Sequence, residues 1–198
     1  MTQPPIFLAS ASPTRIAMLR KVGLDFVSQA AEVDESSLHI SHGHLPPTEL
    51  ALALAKAKAL SLAPEHPDAW IIGSDQVLDF QGKPLHKAKS ISEAHDKLRA
   101  LRGHAHRLHS AAAVAHAGGI AFSAIQSVTL TMRHFSDSFL DDYLAKAPDA
   151  ALHSAGCYHY EGLGAQLFEK VEGDYYAILG LPLLPLLAFL REASILRS

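Results

Sequence analysis

The segment IIGSDQVLDF, residues 71–80, places a carboxylate and an amide directly after a run of strand-forming residues. Ile71 and Ile72 are β-branched and typical of a buried strand, so Asp75 is expected at the strand's end with Gln76 beside it. A carboxylate buried there without partners would be energetically costly. Asp75 is therefore a candidate ligand for a hard divalent cation.

A second candidate lies in SASPTR, where a short strand delivers Ser10 and Ser12 to the start of a helix. The free N–H groups of a helix N-terminus bind phosphate well, and Arg15 in the first turn would add donors matched to phosphate oxygens. Ordinary helix capping with a surface arginine explains the same residues. Taken alone, the common pattern S-x-S-P favours helix capping over phosphate binding.

Further carboxylates follow at Glu32, Asp34 and Glu35, which could join Asp75 around a cation such as Mg²⁺. For Glu32 and Asp34, a solvated acidic loop is the better interpretation. One of these groups beside a substrate phosphate would suffice, because Mg²⁺ usually keeps several waters.

Lysine side chains could supply further positive charge for phosphate binding. Lys56 and Lys58 lie two positions apart in one predicted helix, so they cannot share a face and at most one of them points into a site. Lys83, Lys87 and Lys89 raise the same question in the segment GKPLHKAKS.

The chain contains 13 histidines, which raises the hypothesis of a metal site. They cluster in HISHGH, residues 39–44, and HAHRLH, residues 104–109, but no cysteine accompanies them and the spacing matches no zinc pattern. A structural zinc site is therefore the less favoured interpretation. The single Cys157 excludes an intrachain disulfide, fits a reducing compartment and is expected to be a buried, inert thiol.

The length and composition indicate one folded α/β domain or two closely packed lobes. Of 198 residues, 48% are hydrophobic and 19% are charged, which is enough apolar material for a core. A net charge of −3 gives no reason to expect DNA or RNA as a partner. No signal peptide or membrane-spanning stretch is predicted, so we expect a cytoplasmic protein that does not bind membranes.

The elements that must position these residues alternate between strands and helices, which predicts a mixed α/β fold. The predicted strands are 6–10, a strand within 25–36 that runs into an acidic loop, two strands joined by a turn within 69–80, and a hairpin that turns at Gly118-Gly119. Five helices are predicted. The first starts after Ser12 and ends at Gly23, the second spans 47–63 with Thr48 as its cap, and the third runs from Ser92 to Gly103. The fourth spans 136–148, and the last lies within 177–190. Glycine-punctuated strands and turns are expected before the last helix, and residues 1–198 are expected to form a single domain.

Six segments in order resemble the Maf family of nucleotide pyrophosphatases over nearly the whole chain. They are LASASPTR, EVDES, LALAKAKA, IIGSDQV, LRALRGHAHRLHSAAAV and SAGCYHYEGLGAQLFEKVEGDYYAILGLPL. The resemblance implies an ITPase-like mixed sheet with flanking helices, in two lobes around a nucleotide cleft.

The resemblance also implies an activity: hydrolysis of the α–β bond of a nucleoside triphosphate to the monophosphate and pyrophosphate, with Mg²⁺ or Mn²⁺ and a house-cleaning role. Asp75 matches the family's general base, and Glu35 with Asp75 its metal ligands. The other matched substrate-binding residues are Ser10, Ser12, Arg15, Glu35, Lys58 and Lys87. Lys87 is matched rather than Lys83, although Ala88 stands where the family usually has proline. A homodimer is implied by resemblance only.

Three positions separate the subfamilies, and here they hold Thr14, Gln76 and Glu161. Gln76 and Glu161 match members that act on N7-methylguanosine triphosphate, whereas members that act on dTTP and UTP show other residues. A carboxylate accepts hydrogen bonds from guanine N1–H and N2–H₂ and would repel a pyrimidine carbonyl. Thr14 departs from the large aromatic residue of that group, and the loss of stacking, worth roughly 1–3 kcal/mol, loosens the expected specificity.

Two other functions stay open. The family is associated with arrest of septum formation, so a regulator that acts through protein partners is one alternative. A phosphohydrolase acting on non-nucleotide phosphates is another, and the base-reading positions disfavour it.

Overall fold

A computed structural model describes residues 4–34, 37–38, 42 and 45–197 of the chain. Strands and helices alternate along it. The strands are β1 (Ile6–Ala9), β2 (Val27–Gln29), β3 (Trp70–Phe80), β4 (Lys83–Leu85), β5 (Ala105–His116), β6 (Gly119–Met132) and β7 (Phe168–Glu172). The helices are α1 (Pro13–Lys21), α2 (Pro47–Ser61), α3 (Ile91–Leu101), α4 (Asp137–Lys146), α5 (Pro148–His153), α6 (Tyr175–Ile178) and α7 (Leu183–Glu192), with a 3₁₀ turn at Leu163–Leu167.

The strands form one sheet in the order β2-β1-β3-β5-β6-β7, with β4 paired to β3 off this path. β1 lies parallel to both β2 and β3, with Leu8 opposite Ile72 in the register. β4 and β7 are each antiparallel to their neighbours. The sheet is therefore mixed, and the prediction of a mixed α/β fold is confirmed.

The chain divides into two compact units. The first comprises residues 1–76, 109–126 and 174–198, and the second comprises residues 77–108 and 127–173. Strands β3, β5 and β6 contribute residues to both units. Whether residues 1–198 act as a single domain stays a prediction.

In the first unit, a hydrophobic cluster covers one face of β1 and β3. Ile6, Leu8 and Ile72 face this cluster, and α1 and α7 pack into it. Helix α1 begins as predicted, because the Ser12 side chain accepts the Arg15 N–H and Pro13 fills the first helical position. Its end is also as predicted, since Gly23 takes the left-handed φ of +76° that favours glycine.

Helix α2 lies against β3 at Gly73, whose side-chain position faces away from that of its neighbour Ile72. A Cβ built on Gly73 would lie 2.3 Å from the Ala55 carbonyl oxygen and 2.4 Å from the Ala59 nitrogen. Only a residue without a side chain permits so close an approach between helix and strand. Gly73 therefore sets the distance of α2 from the strand that carries Asp75.

Two predicted helix caps are wrong by two positions. Helix α2 begins at Pro47 after Pro46, with no side-chain cap, so Thr48 lies inside the helix. Helix α3 is capped by Ser90, which accepts the Glu93 N–H at 3.1 Å, rather than by Ser92. Proline can open a helix without a cap, because the N–H it lacks would be unpaired there.

Two predictions about strands also need correction. Residues 69–80 hold one continuous strand, β3, instead of two strands and a turn. The strand predicted within 25–36 is confirmed as β2, and residues 30–34 after it are irregular. The hairpin turns at Ala117-Gly118, with φ of +48° and +76°, and Gly119 already belongs to β6.

The later part of the chain is more helical than predicted. The helix predicted over 136–148 is confirmed as α4, which Ser136 caps, and Pro148 starts a separate helix, α5, that was not predicted. The strands and turns expected before the last helix include the 3₁₀ turn and α6. None of the helices in the described part of the chain combines the length and apolar character that a bilayer span requires.

The second unit contains a buried histidine. His106 is 2% exposed, and its Nε2 lies 2.7 Å from the Tyr158 hydroxyl oxygen. Its Nδ1 has no hydrogen-bond partner among the described residues. Burial lowers the pKa of His106 to about 4 and raises the pKa of Tyr158. Cys157, next to Tyr158, is fully buried, as predicted.

Candidate active site

The predicted general base is buried in the first unit and ion-paired. Asp75 is 9% exposed, and its Oδ1 accepts a hydrogen bond from Lys58 Nζ at 2.7 Å. Asp75 lies in the interior of β3 and not at a strand end, so that expectation was wrong. The strand continues through Phe80 because residues 77–80 pair partly with β4, which the sequence alone did not indicate.

Lys58 reaches Asp75 because of the close packing at Gly73. It lies in the last turn of α2, one residue before Ala59, whose backbone contacts Gly73. The side chains of Lys58 and Asp75 are 10% and 13% exposed, so removing one charge would leave the other buried without its partner. The structure thus selects Lys58 over the half-buried Lys56, as the helical spacing required.

The segment after β1 is organised as a phosphate-binding turn would be. Ser10 is buried, its Oγ accepts the Ser12 N–H at 3.2 Å, and its carbonyl accepts the Ser28 hydroxyl at 2.8 Å. Ser12 in turn accepts the Arg15 N–H at 3.5 Å as the N-cap of α1. These bonds fix the backbone where the helix N-terminus begins.

Arg15 is held by a residue that the sequence did not single out. Its Nε donates to the Gly180 carbonyl oxygen at 2.9 Å, and the hydroxyl of Ser74 approaches the same oxygen at 3.0 Å. The bond joins residues 165 positions apart. Only the glycine of GLPL could have signalled Gly180, and no spacing rule links it to Arg15.

Gln76 lies on the opposite face of β3 from Asp75, because side chains alternate along a strand. Its amide nitrogen lies 2.9 Å from the Ser110 hydroxyl, 2.9 Å from the Ala177 carbonyl and 3.0 Å from the Ile178 carbonyl. The two carbonyls can only accept, so the amide nitrogen is the atom that faces them. Protein groups therefore engage the NH₂ group of this predicted base reader, and no hydrogen bond to its carbonyl oxygen is found within the described residues.

The other predicted residues are more dispersed. Thr14 is exposed on α1 in the first unit, whereas Lys87 and Glu161 are exposed in the second unit. Ala88, the departure from the family pattern, is buried. Glu35 lies outside the described residues. The roles of these residues stay predictions.

Asp75 could serve as a ligand for a divalent cation. Its Oδ2 accepts no hydrogen bond within the described residues, so one carboxylate oxygen is left for a cation that also binds substrate phosphates. Asp34, by contrast, accepts two hydrogen bonds from Ser37, one from its N–H at 3.1 Å and one from its hydroxyl at 2.6 Å, which fits the predicted acidic loop.

Histidine clusters do not form a metal centre in the described part of the chain. No group of three or more His, Cys, Asp or Glu side chains that could hold a metal is found among residues 4–34, 37–38, 42 and 45–197. His39 and His44, which belong to the first cluster, lie outside those residues.

Comparison with known proteins gives matches over nearly the full chain. A nucleoside triphosphate pyrophosphatase of Maricaulis maris is 46% identical over 96% of this chain and 97% of its own length. A 7-methyl-GTP pyrophosphatase of Rhizobium meliloti is 44% identical over 96% of both chains. The solved structure of a HAM1 protein from Coxiella burnetii is more distant, with 13% identity, a TM-score of 0.43, and coverage of 66% of this chain and 73% of its own. The family profile described as Maf-like protein matches residues 5–193, and the chain therefore belongs to the Maf family.

Proposed function

We propose that this protein hydrolyses the α–β phosphate bond of a nucleoside triphosphate, releasing the nucleoside monophosphate and pyrophosphate. The observation that carries the proposal is the buried pair of Asp75 and Lys58, a carboxylate and an ammonium 2.7 Å apart. Relatives over 40% identical are named nucleoside triphosphate pyrophosphatase and 7-methyl-GTP pyrophosphatase, which supports the same reaction.

Asp75 acts as the general base in this proposal. Its Oδ2 takes a proton from the attacking water while the water oxygen bonds to the α-phosphorus. The bond between that phosphorus and the bridging oxygen breaks, and pyrophosphate leaves with the electron pair. Lys58 fixes the orientation of the carboxylate through Oδ1 and supplies positive charge near the reacting phosphate.

Arg15 and the N-terminus of α1 bind the phosphate oxygens. Hydrogen bonds of Ser10 and Ser12 hold the backbone that leads into α1. A divalent cation, Mg²⁺ or Mn²⁺, would be held by the substrate phosphates beside the Asp75 carboxylate and would supply neutralisation of the triphosphate charge. Glu35 as a cation ligand and Lys87 as a further phosphate ligand rest on the family resemblance.

For the base, we propose a guanine nucleotide, including its N7-methylated form, with dTTP and UTP as the alternative. Glu161 supports this choice, because a carboxylate complements guanine N1–H and N2–H₂ and gains from a cationic methylated ring. Gln76 contributes by its carbonyl oxygen or by supporting the 177–178 backbone. Neither the geometry nor the relatives' names favours the septum regulator.

The test measures pyrophosphate release from dTTP, UTP, GTP and N7-methyl-GTP with Mg²⁺ or Mn²⁺. Asp75→Asn keeps the side-chain shape and is expected to lower kcat by about 10²–10⁴-fold, the usual contribution of a general base. Asp79→Asn is the matched control, since Asp79 is a buried carboxylate on the same strand that accepts the Gly82 N–H at 2.7 Å. It is expected to keep kcat within about threefold.

Each outcome has a distinct meaning. Asp75→Asn with wild-type kcat would remove Asp75 from the mechanism. Activity on pyrimidines alone would keep the reaction and refute the guanine assignment. No pyrophosphate release from folded wild-type protein with any nucleotide would refute the proposed function. Light scattering of the same sample would test the homodimer that the resemblance implies.

A further inference from the structure

Gly180 occupies a position where the backbone contacts the proposed phosphate-binding arginine. It follows α6, and its carbonyl oxygen accepts the Arg15 Nε–H at 2.9 Å, with the Ser74 hydroxyl at 3.0 Å. Ser74 also lies 2.8 Å from the Ala111 carbonyl, so the peptide of Gly180 is tied to the central strands of the first unit.

Two features of the structure favour a residue without a side chain at position 180. Its φ of +96° is one that residues with a Cβ rarely adopt. A Cβ built there would lie 3.3 Å from Arg15 Nη2 and 3.5 Å from Arg15 Nε. The guanidinium therefore lies directly against the backbone of Gly180, and a methyl group there would displace it by a few tenths of an ångström.

The bond to Nε determines where the rest of the guanidinium points. The group is planar, with five N–H donors in a fixed fork, so the bond from Nε–H and the close contact with the Gly180 backbone together restrict the plane of the other four donors. Bidentate recognition of a phosphate depends on that plane, because two parallel hydrogen bonds must reach two oxygens. A lysine at position 15 would lack the fork and could not satisfy the carbonyl and a phosphate in the same way.

We infer that Gly180 is a positioning residue for phosphate recognition: it aligns the Arg15 guanidinium with the triphosphate of the substrate and with the pyrophosphate product. The inference rests on the proposed function, because it assumes that Arg15 binds the phosphates of that substrate. Gly180 itself does not contact the reacting atoms.

The first measurement compares Gly180→Ala with Gly23→Ala. Gly23 also has a left-handed φ, +76°, but a Cβ there has nothing within 4 Å. Both variants carry the backbone strain, and only Gly180→Ala disturbs Arg15. We expect Gly180→Ala to raise the KM for the nucleotide and the Kd for pyrophosphate by about 10- to 100-fold, the range of one charged hydrogen bond. Gly23→Ala is expected to change both by less than about twofold.

The second measurement is a double-mutant cycle with Arg15→Ala. If Gly180 acts through Arg15, Gly180→Ala should change KM by less than about twofold once Arg15 is alanine. Equal losses in both backgrounds, or equal behaviour of Gly180→Ala and Gly23→Ala, would show a merely structural role and overturn the inference.

Arg15→Lys keeps the inference testable if Gly180→Ala fails to fold. The lysine retains the charge and loses the fork, so we expect a loss of pyrophosphate affinity close to that of Arg15→Ala. Affinity within about threefold of wild type would overturn the inference, because the bond to Gly180 would then be dispensable.

Calorimetric titration with pyrophosphate separates this inference from the proposed function. If wild-type protein hydrolyses no nucleotide, the proposed function fails. The double-mutant cycle of Arg15 and Gly180 is then measured by the Kd for pyrophosphate alone. Coupling between Arg15 and Gly180 in that Kd would still support positioning. Wild-type protein that binds no pyrophosphate would overturn the inference as well.

Discussion

Replacing Gly73 by alanine tests how the packing of α2 against β3 determines the active site. The added methyl carbon would lie 2.3 Å from the Ala55 carbonyl oxygen, 2.4 Å from the Ala59 nitrogen and 2.9 Å from the Ala59 Cα. All three atoms are backbone atoms, which cannot rotate away as a side chain can. The helix or the strand must therefore move.

The contacts give the size of the displacement. Ordinary van der Waals contact starts at 3.4 Å, so a contact of 2.3 Å requires a separation of about 1 Å between helix and strand. Overpacking of this kind costs about 1–3 kcal/mol of unfolding free energy. The same displacement would stretch the Lys58 Nζ to Asp75 Oδ1 distance of 2.7 Å beyond hydrogen-bond range unless the lysine follows.

Urea unfolding and steady-state pyrophosphate release would measure the two effects on the same sample. We expect Gly73→Ala to lower the unfolding free energy by about 2 kcal/mol and to lower kcat by about tenfold or more per folded molecule. Gly119→Ala is the matched control, since Gly119 lies in a strand and a Cβ there has nothing within 4 Å. Its unfolding free energy should stay within about 0.5 kcal/mol of wild type.

Two results would refute this reasoning. A Gly73→Ala protein as stable as Gly119→Ala would show that α2 and β3 do not pack as closely as described. A destabilised Gly73→Ala protein with wild-type kcat would show that the helix position does not control the Lys58–Asp75 pair.

Three further predictions concern His106, Gln76 and Cys157. The folded-state pKa of His106 is about 4, below the ordinary 6.5, so stability present above pH 6.5 is lost as the pH falls towards 4, by about 3 kcal/mol. In the His106→Gln variant, the unfolding free energy measured in urea should fall by about 3 kcal/mol less between pH 7 and pH 4 than it does in the wild type. An unchanged pH dependence would contradict the assignment. Gln76→Glu would set a carboxylate against two backbone carbonyl oxygens, so it should lower the unfolding free energy by about 2 kcal/mol or more, whereas a residue that only reads the base would leave urea unfolding unchanged. Burial raises the pKa of Cys157, so a disulfide reagent at pH 8 should modify the thiol only in urea, and rapid reaction of the native protein would disprove its burial.

Local patterns predicted those parts of the fold that depend on neighbouring residues. The start and end of α1 follow from Ser12, Pro13 and Gly23, each of which acts within one helical turn. The cap of α3 was wrong because Ser90 and Ser92 are both plausible starts, and the cap of α2 was wrong because that helix begins at two prolines without a side-chain cap. The continuous strand β3 was missed because glycine and aspartate, which weaken isolated strands, are stabilised here by pairing and by Lys58.

The candidate site was predictable by residue type and less so by geometry. Spacing showed that only one of Lys56 and Lys58 could face a site, and the family resemblance selected Lys58, in agreement with the observed pair. The bond between Arg15 and Gly180 joins distant segments, and no local rule encodes such a contact. The orientation of Gln76 likewise depends on backbone carbonyls about 100 positions away.

The division of the chain has a consequence for its synthesis on the ribosome. The second unit has all its residues once position 173 has been added, but the first unit still needs residues 174–198. Those last residues include α7, which covers the cluster on β1 and β3, and Gly180, which holds Arg15. Because domains fold as their residues emerge, a nascent chain contains Lys58 and Asp75 long before it can hold a triphosphate in the way proposed. Nucleotide hydrolysis should therefore begin only after residues 174–198 have joined the first unit.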